Sequence, residues 1–183
     1  MRKKFENLIR YICRESEADR AFGRTKLNKL LYFADFGHLR DYGESISGEE
    51  YMAIQNGPVP RAMKPVLDDM IRCGDLREES IDIGARHPQM RPYTVRDPDL
   101  SLFSASEKAY VDDVLSKYSR MSGTELAELS HAEVGYKAAY ARGSREKIAY
   151  GTAYLPPFCS ITQDIVDRTS QLIAQGWHEP AAA

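Results

Sequence analysis

The chain has 183 residues, of which 43% are hydrophobic and 28% are charged, with a formal net charge of −2 at pH 7. A chain of this length fits one domain and can bury a core without a metal ion or a disulfide to stabilise it. The small net charge excludes a chain-wide attraction to nucleic acid or to an anionic membrane. It is compatible only with binding through a local basic patch.

The cysteines and the apolar runs predict a cytoplasmic protein. Cys13, Cys73 and Cys159 are odd in number and far apart, which suits a reducing compartment better than a disulfide framework. Charged residues interrupt the basic N-terminal stretch, so it lacks the apolar core of a signal peptide. No apolar run approaches the roughly 20 residues that span a bilayer, and we expect no membrane partner.

Residues 26–42 predict a central helix. One apolar stripe with helical spacing consists of Leu27, Leu30, Leu31 and Ala34. A second stripe, on the opposite side, consists of Tyr32, Phe36 and Leu39. A helix that is apolar on two faces is usually packed between neighbours. We therefore expect the rest of the domain to surround this helix, which should end at Gly43.

Shorter elements flank the central helix. Apolar spacing predicts amphipathic helices over 5–13 and 63–71. Residues 50–55 predict a short strand, and 56–60, with one glycine and two prolines, predict a compact turn. Residues 76–83 and 90–95 predict a β-hairpin.

The sequence after Asp97-Pro98-Asp99 predicts helices only. Four S-x-x-E/Q sequences match the capping box that starts a helix. They begin at Ser104, Ser122, Ser130 and Ser160. The predicted fold class is mainly α with a small β element (α+β): a helical bundle around a central buried helix, with a short strand and a β-hairpin. We predict one domain over 1–178, with a helix-plus-hairpin part over about 1–97 and a helical part over about 98–178, and a flexible tail over 179–183.

Two residue pairs could suggest chemistry. Asp35 and His38 stand three apart, a spacing that can place both on one metal ion, but the periodicity also fits a buried, hydrogen-bonded histidine. Cys159 and His131 could form a nucleophile and base, yet neither stands in a catalytic signature. We therefore predict a protein that is not an enzyme, without a catalytic site, a metal site or a cofactor.

The predicted hairpin supports an alternative function. A helix followed by a basic hairpin is typical of a winged helix, in which the hairpin contacts phosphates. The cations near it are Arg72, Arg77, Arg86, His87, Arg91 and Arg96. Neighbouring acidic residues, Asp68 and Asp69 among them, offset much of this charge. A winged-helix-like DNA-binding transcriptional regulator therefore stays the alternative.

Three separated motifs resemble the Panacea domain, the family of SocA-like antitoxins and phage-associated GepA-like proteins. The K-L-x-K-L-x-Y-F helix motif is present as Lys26, Leu27, Lys29, Leu30, Tyr32 and Phe33. The G-P-V motif is Gly57-Pro58-Val59, and the late S/T-H-x-E motif is Ser130, His131 and Glu133. Tyr136 stands near the position where the family usually has a tryptophan. The resemblance covers roughly 3–142.

The resemblance implies an antitoxin of a toxin–antitoxin system, which binds and neutralises a cognate toxin protein. The SocA branch acts as an adaptor that delivers its toxin to the ClpXP protease, whereas most members neutralise by direct binding. Members pair with toxins of many kinds, so the resemblance does not identify the toxin. The C-terminal HEPAAA is similar to signals that Clp unfoldases read, and is also what an ordinary flexible terminus looks like.

We expect the toxin-binding surface at the polar edge of the central helix and at the following turn. A preorganised turn loses little conformational freedom on binding. The predicted partner-binding residues are Lys26, Lys29, Asn56, Gly57, Pro58, Val59, Pro60, Arg61 and Lys64. In the alternative interpretation, these motifs serve only folding.

Overall fold

The computed structural model describes residues 2–84, 87–155 and 163–175. The helices are α1 (Arg2–Glu15), α2 (Arg24–Tyr42), α3 (Met63–Arg72), α4 (Ala105–Tyr118), α5 (Gly123–His131), α6 (Val134–Arg142) and α7 (Gln163–Ala174). The strands are β1 (Tyr51–Ile54), β2 (Gly57–Pro60), β3 (Leu76–Ile81), β4 (Gln89–Thr94) and β5 (Glu146–Ile148). Short 3₁₀ turns span Leu100–Leu102 and Tyr150–Tyr154. The predicted fold class, mainly α with a small β element, is confirmed.

Helix α2 is the centre of the fold, as its two apolar stripes predict. It packs against α1, α4, α5 and β2. Leu27, Leu31 and Ala34 are fully buried on one side, and Tyr32 and Phe36 are buried on the other. The buried side chains of one hydrophobic cluster come from both sides of Asp97-Pro98-Asp99. The two predicted parts of the domain therefore share this core.

The predicted short strand is the middle strand of a three-stranded antiparallel sheet with the order β2-β1-β5. The register pairs Ala53 with Pro58 on one side and Tyr51 with Ile148 on the other. The prediction that only helices follow residue 97 is therefore wrong. The three residues of β5 are too few to show alternation, and their strand geometry depends on pairing with β1.

The hairpin and two of the capping boxes are confirmed. Strands β3 and β4 pair from Leu76 with Thr94 to Ile81 with Gln89. Ser104 caps α4 and Ser122 caps α5, each with the reciprocal glutamate bond. The predicted box at Ser130 is wrong, because Ser130 lies inside α5 and its hydroxyl donates to the carbonyl oxygen of Ala127. Ser160, Cys159 and the tail lie outside the described residues.

Within the described ranges, none of the helices combines the length and the apolar character that crossing a membrane requires.

Candidate functional site: the junction of three motifs

The three sequence motifs meet at one place inside the protein. The Lys29 Nζ of α2 donates a hydrogen bond of 2.8 Å to the backbone oxygen of Pro58 in β2. Ser130, in the last turn of α5, approaches the same strand at Gly57. We call the group Lys29, Gly57, Pro58, Ser130 and His131 the motif junction. It joins residues from three elements that are far apart in sequence.

Gly57 is required at the junction for two reasons. Its φ of +91° lies in the left-handed region, which residues other than glycine rarely adopt. A Cβ atom there would also lie 2.6 Å from Ser130 Oγ and 2.7 Å from Lys29 Cε. The absence of a side chain therefore lets β2 approach both α2 and α5 closely.

His131 of the late motif and the nearby Tyr136 lie beside the end of β1. The His131 ring stacks on the Tyr136 ring, with centroids 4.7 Å apart and planes 19° apart. The Tyr136 hydroxyl donates to the backbone oxygen of Ile54 at 2.9 Å. Burial and the nearby Lys29 ammonium lower the pKa of His131. Tyr136 thus fixes the end of β1.

Lys29 is a buried ammonium group. The residue is only 2% exposed, and no carboxylate among the described residues forms an ion pair with it. Burial disfavours the charged form and lowers the pKa of Lys29 to about 7. Near neutral pH the group therefore changes its charge inside the core.

Lys29 gives the protein a predictable dependence of stability on pH. The unfolded lysine holds its proton up to its ordinary pKa of 10.5, whereas the folded one releases it near 7. The unfolded chain therefore binds more protons across this window, and the contribution of Lys29 to stability rises with pH. The Lys29→Met variant lacks this titration. We expect its stability relative to the original protein to fall by about 2 kcal/mol between about pH 7 and pH 9.

Urea unfolding of both proteins at several pH values measures this difference. The contributions of groups that titrate in both proteins cancel in the difference between their free energies of unfolding. Parallel stability curves across the whole range would show that Lys29 keeps its ordinary pKa in the folded state.

Lys26, the other motif lysine, is also buried. Its Nζ lies 2.6 Å from Asp19 Oδ2 and donates to the backbone oxygens of Ser119 and Met121. These partners belong to the α1–α2 and α4–α5 connections. Lys26 therefore ties both connections to the start of α2.

Asp35 holds the segment that leads into β1. Its carboxylate accepts hydrogen bonds from the Ser47 amide at 2.7 Å, from the Ser47 hydroxyl, and from the Tyr51 hydroxyl at 2.7 Å. Asp35 is fully buried, and burial raises its pKa despite these donors. His38 takes no part in this network, because its Nδ1 lies 2.7 Å from the backbone oxygen of Glu44 and its ring stacks on Tyr42. Asp35 and His38 therefore belong to two separate hydrogen-bond networks.

The structure corrects the prediction of which residues form an exposed toxin-binding surface. Lys26 and Lys29 were expected on the polar side of α2, but both are buried. The expected protruding turn over 56–60 is mostly strand β2, and Gly57, Pro58 and Pro60 are buried in it while Val59 is half-buried. The reason is that β2 pairs with β1 and packs against α2. The prediction of an exposed surface at these positions is wrong.

Three residues of that predicted surface are exposed: Asn56, Arg61 and Lys64. Arg61 pairs with Glu50 and Lys64 pairs with Asp68. Such exposed ion pairs contribute about 0–1 kcal/mol to stability, so both cations can exchange their partners at low cost.

The other motif residues are structural in their contacts. Tyr32 is buried and packs edge-on against Tyr51, and the half-buried Phe33 packs against Tyr118. Glu133 precedes α6 and is half-buried, which raises the pKa of its carboxyl group.

Most of the hairpin cations have internal partners. Arg72 pairs with Asp69, Arg77 with Glu79 and Arg96 with Asp75. Arg91 is buried and donates to the backbone oxygen of Glu17. His87 is exposed, and Arg86 lies outside the described residues. Because a carboxylate lies beside each of these three exposed arginines, much of their charge is offset, and the described hairpin gives no support to a winged-helix contact with phosphates.

Sequence reasoning missed one surface feature, a groove of about 740 Å³. It lies between the hairpin and the first residues of α2 and α5, and includes Asn56 at the β1–β2 turn. We call it the hairpin groove. Its described walls come from residues 20, 21, 23–26, 56, 83, 87–90, 122–124 and 127, so no contiguous sequence signal could reveal it.

Comparison with known proteins assigns the motif junction to a family. The family described as "Antitoxin SocA-like, Panacea domain" matches residues 27–135, a range that starts in α2 and ends just after Glu133. The comparisons with curated proteins and with solved structures give no match. The family match spans more than half of the chain and includes the G-P-V motif, the S/T-H-x-E motif and the helix motif from Leu27 onward. The chain belongs to the SocA-like antitoxin family with a Panacea domain.

Proposed function

We propose that this protein is an antitoxin that neutralises a cognate toxin protein in the cytoplasm by direct protein–protein binding. The observation that carries the proposal is the family match over residues 27–135, which contains the whole motif junction. The toxin itself is to be identified by experiment.

The position of the motifs supports a division between a common interior and a variable surface. Lys26, Lys29 and Gly57 contact other parts of the same chain, so the motifs stabilise the scaffold. A family whose signature residues are internal can present different surfaces on one fold, which suits partners of many kinds.

The exposed side chains also suit protein binding. Tyr42, Tyr140 and Tyr154 are 57%, 41% and 53% exposed. Tyrosine is enriched in protein–protein interfaces, because its ring buries a large area and its hydroxyl retains a hydrogen bond. Asn56, Arg61 and Lys64 stay in the proposal as polar residues at the edge of such an interface.

Delivery of the toxin to a Clp-type protease is a second way in which binding could neutralise it. This adaptor activity would require the same first step, a stable complex with the toxin. Direct inhibition predicts that the toxin persists in an inactive complex, whereas adaptor activity predicts that its cellular half-life shortens.

Co-expression with the product of the adjacent open reading frame tests the proposal. We expect the two proteins to co-purify on a tag placed on either one, and the complex to persist between about 50 and 500 mM salt. A DNA-binding regulator would instead bind its operator and lose affinity steeply over this range. Absence of a complex, together with salt-sensitive binding to the upstream DNA, would contradict the proposal.

A further inference from the structure

The lining of the hairpin groove has an uneven charge. Among its described residues are the basic residues Arg20, Arg24, Lys26 and His87, and none of them is aspartate or glutamate. The whole chain carries a net charge of −2. The described lining therefore contributes basic side chains and no acidic one, although carboxylates outside the lining offset part of this charge.

The basic residues differ in how strongly they are already paired. Arg24 makes a two-pronged pair with Glu78, and the buried Lys26 pairs with Asp19. Arg20 is exposed in the α1–α2 connection, and no carboxylate in the described part of the chain lies within ion-pair distance of it. Arg20 is thus an arginine that a ligand in the groove can contact directly without displacing a carboxylate.

The backbone adds to the positive character of the groove floor. The first turns of α2 and α5 meet there, since a Cβ at Gly123 would lie 3.1 Å from the backbone nitrogen of Lys26. No side chain caps α2 at Gly23. Helix N-termini carry partial positive charge and favour carboxylates within the first turn.

The groove also has an apolar wall. Ile83 and Met90, from the two sides of the hairpin, line it and are 55% and 37% exposed. Exposed apolar side chains beside cations suit a ligand that carries both carboxylate and aliphatic groups.

We propose that the hairpin groove binds an acidic segment of the toxin, in which carboxylates contact Arg20 and the first turn of α2 while aliphatic side chains contact Ile83 and Met90. This inference rests on the proposed function, because it names the surface and the chemistry through which the antitoxin binds its partner. Nucleic acid fits the groove less well. Two of its cations are already paired, and the apolar wall offers phosphates no partner.

A peptide probe tests the inference without the toxin. A fluorescein-labelled hexapeptide that alternates aspartate and leucine is titrated into the full chain, beside a lysine–leucine hexapeptide and a short DNA duplex. We expect the acidic peptide to bind with a Kd of about 0.1–1 mM and to shift the NMR signals of the Ile83 and Met90 methyl groups. The Arg20→Glu variant should bind it about tenfold more weakly, the cost of one charge-assisted contact.

The matched control is Lys117→Glu, which reverses an exposed cation on α4, a helix that contributes no residue to the groove. It should bind the acidic peptide as the original protein does. Equal losses in both variants, or equal binding of the two hexapeptides, would overturn the inference. Tighter binding of the duplex than of the acidic peptide would replace it with a phosphate site.

The outcome is separable from that of the proposed function. If the partner co-purifies but the acidic peptide does not bind selectively, the groove is not the binding site and the antitoxin function is still supported. If the acidic peptide binds selectively but no partner co-purifies, the result contradicts the antitoxin function and not the groove.

Discussion

Replacing Gly57 with alanine is expected to lower the free energy of unfolding by about 3–5 kcal/mol, a large effect for the addition of one methyl group. The loss is the sum of two costs, backbone strain and overpacking. A φ of +91° strains a residue with a side chain by roughly 1–3 kcal/mol. The new Cβ would also overlap Ser130 Oγ and Lys29 Cε, and overpacking of this kind costs about 1–3 kcal/mol.

Both neighbours of Gly57 are held in place, which limits relaxation. Ser130 Oγ donates to Ala127 at 2.7 Å, and Lys29 Nζ donates to Pro58 at 2.8 Å. For a chain of this size we expect the midpoint of thermal unfolding to fall by roughly 10 °C, at about 2–4 °C per kcal/mol. Calorimetry or urea unfolding measures the change.

Gly43 offers a matched control. It ends α2 with a φ of +86°, close to that of Gly57, but nothing lies within 4 Å of its added Cβ. Gly43→Ala should therefore cost only the backbone strain, the same roughly 1–3 kcal/mol that is included in the cost of Gly57→Ala. If the two variants were equally stable, the close approach of α2, β2 and α5 at the motif junction would not be what requires glycine.

Replacing Asp35 with alanine is expected to cost about 3–5 kcal/mol. The variant leaves the Ser47 amide, the Ser47 hydroxyl and the Tyr51 hydroxyl without an acceptor in the core. Each unsatisfied buried donor costs about 1–3 kcal/mol, although the two hydroxyls can rotate toward other acceptors. Because Ser47 precedes β1 and Tyr51 begins it, amide exchange should also become faster over 44–54.

Asp35→Asn separates hydrogen bonding from simple loss of volume. Asparagine keeps the shape and one acceptor oxygen, and the hydroxyls of Ser47 and Tyr51 can accept from its amide group. It also removes the cost of holding a buried carboxylate, whose pKa is raised by burial. We expect a loss of about 1 kcal/mol. Equal losses in the alanine and asparagine variants would contradict the hydrogen-bond account.

The sequence predicted those parts of the fold that local pattern determines. The two stripes of α2 identify a buried helix without reference to any other element. The capping boxes at Ser104 and Ser122 and the hairpin β3–β4 depend on residues close in sequence, and all three are confirmed.

The sequence could not predict which polar residues are buried. Lys26 and Lys29 occupy positions that an isolated helix would expose to water, and they are buried because distant segments supply oxygen atoms to their ammonium groups. The same applies to β2, whose proline-rich sequence resembles a free turn until β1 pairs with it. The hairpin groove is likewise formed only by tertiary contact.

Growth rescue in two hosts tests the central claim, neutralisation by direct binding, most directly. The partner protein is induced with and without this chain, in a host that has the Clp protease and in one that lacks it. Direct binding predicts that the chain restores growth equally in both hosts and that the partner accumulates in the complex. Rescue only in the host with the protease would show that the protein acts as an adaptor. Failure to rescue growth in either host would contradict the antitoxin function itself.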